Sequence, residues 1–308
     1  MQYNFIPSGS SVSFLSKVLY LDVGNKLCKG IIDHHHLTNN KSATHLVFLH
    51  PTFIPQDIKQ IILHQSPDLD CIAASFLVEY YLLHNKFPKF TKKLISYVDK
   101  NDFGQPFDNF INIASIFIML KATCNTNIEI VNKGHKLLFD FIDAKFNINV
   151  IQKKYYNIIN NIKKDHKIYQ NEIHKFIKTH YNLPLKQNLN KLRNTKALIM
   201  IKPQAKLFKE WARLDGYDML IVQWNNNRII ISVKADGLVS LKGIGNKLNN
   251  AESNKRKELN IIINENNRIG YNIPDPWYDG RAHGYTIIDS PRRGTALDLN
   301  TILTLIKL

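Results

Sequence analysis

The chain has 308 residues, with 41 Lys+Arg against 25 Asp+Glu and a formal net charge of +16; at ~100–200 residues per domain it is long enough for two domains, each with its own core. Apolar residues make up 44% and charged residues 21%, close to globular averages, which excludes global disorder and collagen-like repeats. Because Lys dominates and sits beside Asn clusters such as Asn225-Asn226-Asn227, an AT-rich coding composition explains the positive charge as readily as a phosphate-rich partner does.

No apolar stretch reaches the ~20 residues of a bilayer-spanning helix, so no membrane association is expected. The N-terminal sequence MQYNFIPSGS has neither the basic flank nor the apolar run of a secretory signal. Cys28, Cys71 and Cys124 are scattered and lack CxxC spacing. They read as reduced, buried thiols, and the chain as cytoplasmic.

In chain order, the apolar runs 18–22, 30–33, 44–49 and 59–64 end in polar clusters and read as buried strands of a largely parallel sheet. Chemistry is then expected where those strands end. Residues 70–83 carry helical periodicity with an acidic residue in the first turn, and 94–98 is a further strand-like run ending at Asp99. From about 127 to 180 the chain is polar and Pro-free, with Ile130, Leu137, Leu138, Phe141 and Ile142 at three- and four-residue spacing, the pattern of long connecting helices. Beyond Pro184, the runs 197–201, 219–224 and 228–233 read as strands, with Asn225-Asn226-Asn227 as the hairpin turn between the last two. The expected fold class is α/β: a largely parallel-sheet N-terminal domain at 1–125, a helical connector at 126–184 and a smaller mixed α/β C-terminal domain at 185–308.

Four clusters at the ends of the N-terminal runs carry metal-ligating chemistry. They are Asp22 in LDVG, Asp33-His34-His35-His36 in GIIDHHH, His64, Asp68 and Asp70 in LHQSPDLDC, and Asp99 with Asp102 in YVDKNDFG. Mixed carboxylate and imidazole donors suit Mn²⁺, Mg²⁺ or Co²⁺, and two such ions ~3.5–4 Å apart can activate a hydroxide while neutralising a phosphoryl group. Two carboxylates beside His64 at the Pro67-Asp68-Leu69-Asp70 turn need a cation to offset their repulsion, although Asp70 alone could cap the following helix. His36 reads as a solvated neighbour of the triplet, and His45 and His50 as ends of the LVFL run.

Together these motifs resemble the DHH phosphoesterase superfamily, which includes family II pyrophosphatases, RecJ-type exonucleases, nanoRNases and cyclic-dinucleotide phosphodiesterases. HQSPDLD resembles the first motif of that superfamily, Asp33-His34-His35 its name-giving triplet, and Asp22 in VLYLDVG its lone bridging aspartate. The usual order is permuted, since HQSPDLD follows the other two; a parallel sheet tolerates this because proximity depends on strand neighbours. An accidental second histidine cluster is the alternative. The resemblance implies that His64 and Asp68 bind one cation, Asp70 and His34 the second, and Asp22 both, with Asp99 completing the second position unless Asp102 takes its place. It further implies that His35 touches the scissile phosphate or protonates the leaving oxygen while Asp33 orients His34. Two divalent cations are expected, Mn²⁺ first and Mg²⁺ or Co²⁺ next.

In the C-terminal stretch DPWYDGRAHGYTIIDSPRRGTAL, Arg281, His283, Arg292 and Arg293 lie among Gly280, Gly284 and Gly294, a combination able to present guanidinium forks and backbone N–H groups to an anion. A hairpin of ordinary surface loops is the plainer reading. In position the stretch matches the substrate-binding domain of many DHH proteins; their GGGH motif is absent, GRAHG is a loose analogue, and Lys234 lies in ISVK, which resembles the basic strand before it. The reading is a dinuclear, metal-dependent phosphohydrolase whose C-terminal arginines close on the substrate phosphate. The expected substrate is a short oligonucleotide or signalling nucleotide, with pyrophosphate or polyphosphate second. A non-catalytic nucleotide- or partner-binding module is the other class, and a homodimer and protein partners through the C-terminal domain stay open.

Overall fold

A computed structural model describes residues 1–35, 41–104, 110–235, 237–263, 271–281 and 284–307; His36 and His283 lie outside the described residues. The chain divides into two compact units, Met1–Lys164 and Asp165–Leu308. The segment 126–184, expected as a connector, is shared between them. No helix among the described residues is long and apolar enough to cross a membrane.

Among the described residues the first unit carries five strands, β1 (Gln2–Ile6), β2 (Val18–Leu21), β3 (Leu27–Cys28), β4 (Ile31–Ile32) and β5 (Gln60–His64), in the order β1-β5-β2-β4-β3. The pairs β1–β5, β2–β5 and β2–β4 are parallel and β3–β4 is antiparallel. Parallel pairing puts the ends of β2, β4 and β5 on one edge, so Asp22, Asp33 and His64 emerge together. β2 is buried along its whole length, as expected of a sheet covered on both faces.

Among the described residues, seven α-helices begin in this unit: α1 (Ala43–Leu49), α2 (Leu69–His84), α3 (Thr91–Asp102), α4 (Ile113–Lys121), α5 (Asn127–Asp143), α6 (Ile148–Lys154) and α7 (Tyr156–Glu172), the last of which runs on into the second unit. Two of them replace expected strands. The run at 44–49 is helical: Ser42 caps it by accepting the His45 N–H, and Ala43, Thr44, Leu46 and Val47 are its buried residues. The run at 94–98 lies inside α3, where Leu94, Ile95 and Val98 form a buried stripe at helical spacing. Short apolar runs are compatible with either structure, and in both places the buried stripe and the flanking residues decide for helix. α2 starts at the Asp68 cap, where the carboxylate accepts the Cys71 N–H, and its first ten residues are all buried.

The second unit holds β6 (Ile177–Leu185), β7 (Asn188–Ile201), α8 (Phe208–Leu214), β8 (Met219–Gln223), β9 (Ile229–Val233), α9 (Ile244–Glu258), β10 (Ile287–Asp289) and α10 (Leu299–Ile306). Its mixed sheet runs β10-β9-β8-β7-β6, with only β7–β8 parallel. Its core gathers Leu183, Ile221, Ile231, Leu248, Trp277 and Ile302. The whole is α/β with one largely parallel and one mixed sheet.

The C-terminal stretch is anchored from α9. Glu252, fully buried, takes Arg256 Nε at 2.8 Å, Trp277 Nε1 at 3.1 Å, the Thr295 hydroxyl and the Ala296 N–H at 3.0 Å. Gly280 sits at φ +66°, and any side chain there would run into the Ile287 carbonyl. The turn itself therefore requires this glycine.

Candidate metal centre

Asp22 leaves β2 in the left-handed region, with φ 57°. A non-glycine residue holds that conformation only where its surroundings impose it; here the Asp22 N–H is bound to the Ile32 carbonyl at 3.0 Å. Its carboxylate is 1% exposed. Oδ1 lies 3.1 Å from His34 Nε2 and Oδ2 lies 3.4 Å from His64 Nε2, so one aspartate reaches two imidazoles.

Around it, the ligating atoms fall into three groups, each with all members within 4.8 Å of one another: Asp22, His64, Asp68 and Cys71; Asp22, Asp33, His34 and His35; and His34, Asp70 and Asp102. His64 Nδ1 donates to the Gln65 carbonyl at 2.9 Å, which leaves Nε2 facing Asp22 and Asp68 as the donor atom. His34 Nε2 sits among three carboxylates, 3.1 Å from Asp22, 3.7 Å from Asp70 and 3.7 Å from Asp102.

Asp33 serves His35. Its Oδ1 meets His35 Nδ1 at 2.6 Å and the His35 N–H at 3.0 Å, while Oδ2 takes the Asn25 N–H at 2.7 Å. The peptide turn after β4 places the carboxylate against its second neighbour, His35. An oriented histidine with a buried carboxylate on Nδ1 is the arrangement of a proton-handling group.

Asp70 accepts the N–H groups of Ala43 at 2.7 Å and Thr44 at 2.8 Å, at the start of α1. It ties that helix to the site, and the α2 cap is Asp68 instead. Asp99 does not join the three groups: its oxygens take the Ser42 N–H at 3.1 Å and His45 Nδ1 at 2.8 Å. Asp99 and Asp102 lie three residues apart on one side of α3, Asp99 held at the start of α1 and Asp102, one turn further on, facing His34. His50 stacks on Phe53 instead, with ring centroids 5.0 Å apart.

The electrostatics follow from the crowding. Burial works against the charge on Asp22, yet His34, His35 and His64 together hold its carboxyl well below the usual range. Burial, then the charges of Asp22 and Asp102, push Asp70 well above it. Asp102 is pushed up to about 7 by burial and by Asp22 and Asp68. Asp22 Oδ1 and Asp102 Oδ2 are buried without a hydrogen-bond partner. Buried carboxylate oxygens of this kind are costly unless a cation meets them, and the oxygen and nitrogen donors present fit divalent cations.

Reading the sequence missed Cys71 as a member of the first group. The available signal was its place three residues after Asp68 on one helix face. All three cysteines are free, and Cys28 is exposed, contrary to expectation, because it lies on the short edge strand β3.

The basic residues of the second unit have partners of their own. Arg281 holds Asp279 through Nε at 2.9 Å and Nη2 at 2.8 Å and lies over the Tyr271 ring. Lys234 pairs with Asp218 at 2.9 Å. The backbone N–H groups of Arg292 and Arg293 donate to the buried Asp275 at 2.8 and 3.1 Å. No protein-family model, curated protein or solved structure matches this chain.

Proposed function

We propose that this protein is a divalent-cation-dependent phosphohydrolase of the DHH phosphoesterase type with permuted motif order, acting on a phosphodiester or phosphoanhydride. The observation that carries the reading is the buried Asp22 carboxylate, shared between the His64/Asp68 group and the His34 group. Asp22, His64 and Asp68 would hold one cation, and Asp22, His34, Asp70 and Asp102 the other. When bound, such a pair supplies charge neutralisation at phosphorus and an acidified water, Mn²⁺ being the first candidate and Mg²⁺ or Co²⁺ the next. Asp33 fixes the ring of His35, whose proton serves the leaving oxygen. Asp70 draws the start of α1 onto the site.

A short oligonucleotide or signalling nucleotide is the proposed substrate class. The test is a hydrolysis panel with Mn²⁺ or Mg²⁺ against a generic phosphodiester, dinucleotides, a cyclic dinucleotide and pyrophosphate. Turnover of at least one, abolished by chelator, is the expected result. Stoichiometric cation binding with no turnover across the panel would instead favour a binding module.

A further inference from the structure

The two groups of donors that share Asp22 differ in one atom type. Around His64 they are one imidazole nitrogen, two carboxylate oxygens and the Cys71 sulfur; around His34 they are nitrogen and oxygen only. A tetrahedral ion with bonds of about 2.0–2.3 Å sets its ligands about 3.3–3.8 Å apart, so four donors already within 4.8 Å of one another need only small side-chain movements to close on one.

Cys71 is fully buried, its thiol 3.9 Å from the Leu21 carbonyl and beside the His64 imidazole. It stands in the first turn of α2, three residues after Asp68, whose capping bond to the Cys71 N–H at 3.0 Å holds the two side chains on one face. A second observation points to a ligand here. Asp22, 99% buried, turns Oδ2 toward this group, 3.4 Å from His64 Nε2, and His64 Nε2 also lies 3.5 Å from Asp68 Oδ2, so buried donor atoms of three residues converge beside the sulfur.

We propose that the two cation positions are chemically unequal, Cys71 supplying a thiolate that makes the His64 position selective for Zn²⁺ or Co²⁺ while the His34 position takes a harder ion such as Mn²⁺ or Mg²⁺. Thiolate ligation favours the softer ions, and carboxylate-rich sites the harder ones. On binding, the S–H bond of Cys71 breaks, a sulfur–metal bond forms and the proton goes to solvent, with no change of oxidation state. The inference rests on the dinuclear reading above.

The experiment is cobalt titration of the full chain carrying Cys28→Ser and Cys124→Ser, so that Cys71 is its only thiol, with bound cobalt counted by elemental analysis. Two cobalt ions per chain are expected, with a near-ultraviolet sulfur-to-cobalt charge-transfer band whose intensity corresponds to a single thiolate. Adding Cys71→Ser should abolish the band and weaken the preference for Zn²⁺ over Mn²⁺ at one position by at least tenfold. Should that variant not fold, X-ray absorption of the Cys71-containing protein with one equivalent of Zn²⁺ decides instead, with a sulfur neighbour expected at about 2.3 Å. Two bound ions with neither band nor sulfur neighbour would overturn the thiolate and leave the dinuclear reading standing. Failure to bind any divalent ion would overturn both.

Discussion

Both units bury acids, and they treat them differently. In the second unit, Glu252 meets Arg256, Trp277, Thr295 and Ala296; Asp275 meets two backbone N–H groups; and Asp165 takes the N–H groups of Lys206 and Leu207 with the Trp211 indole. These carboxylates close loops onto helices, and their donors come from the fold. In the first unit, Asp33 and Asp70 have such donors, but Asp22 and Asp102 each keep a buried oxygen without one. A buried acid with its donors in place is architecture. One left short of donors among other acids is where an external cation belongs.

That contrast breaks first at Asp22. Asp22→Ala should remove both cations and lower activity at least ~10³-fold, because several kcal/mol of charge stabilisation disappear together; retained metal content by elemental analysis would dismiss the shared-carboxylate assignment. Glu252→Ala should do the converse. It leaves Arg256 buried without its partner and should cost the second unit about 3–5 kcal/mol in urea denaturation, while cation affinity in the first unit stays unchanged. A loss of cation binding there would erase the distinction between the two kinds of acid.

His34 and His35 sharpen the contrast within one triplet. His34→Ala should lose metal, whereas His35→Ala should keep it and turn over ~10²–10⁴-fold more slowly; equal metal loss would remove the separation of roles.

The pH response gives a smaller but signed effect. In metal-free protein, Asp102 is pushed up to about 7 by burial and neighbouring carboxylates; for His35, burial works against the charge, but the charges of Asp33 and Asp22 and the Asp33 hydrogen bond together raise it to about 9. Both then bind a proton in the folded chain where the unfolded chain has released it. Asp102 contributes stability fully below ~4, lost as pH rises through about 7; His35 contributes fully below ~6.5, lost through about 9. Melting temperature should therefore fall from pH 6 to 9 in chelator. With saturating divalent cation the slope should shrink or reverse, since ligands must shed protons to bind. Identical slopes in both conditions would argue against a cation site. Least of all should Asp99→Asn matter: cation affinity is expected to change less than threefold, against ~10–100-fold for Asp102→Asn, by calorimetric titration.

The residue types of the centre and the strands that carry three of them were legible in the chain itself. Apolar runs closing on Asp22, Asp33 and His64 fold as parallel strands, and parallel strands deliver their ends to one edge whatever their order along the chain. Side-chain direction was not legible. In the helix that 94–98 forms, Asp99 and Asp102 share one side and differ in height by nearly a turn, so which of them meets His34 depends on how far along the site that helix ends. That choice was made by the packing of Leu94, Ile95 and Val98. The same holds for 44–49, whose start is pinned by Asp70 from 26 and 27 residues away. Cys71 joins His64 and Asp22 only because α2 begins against the ends of β2 and β5. Local pattern determines what each segment can become; contacts between distant segments settle which way its polar atoms point, because burial leaves each of those atoms few partners.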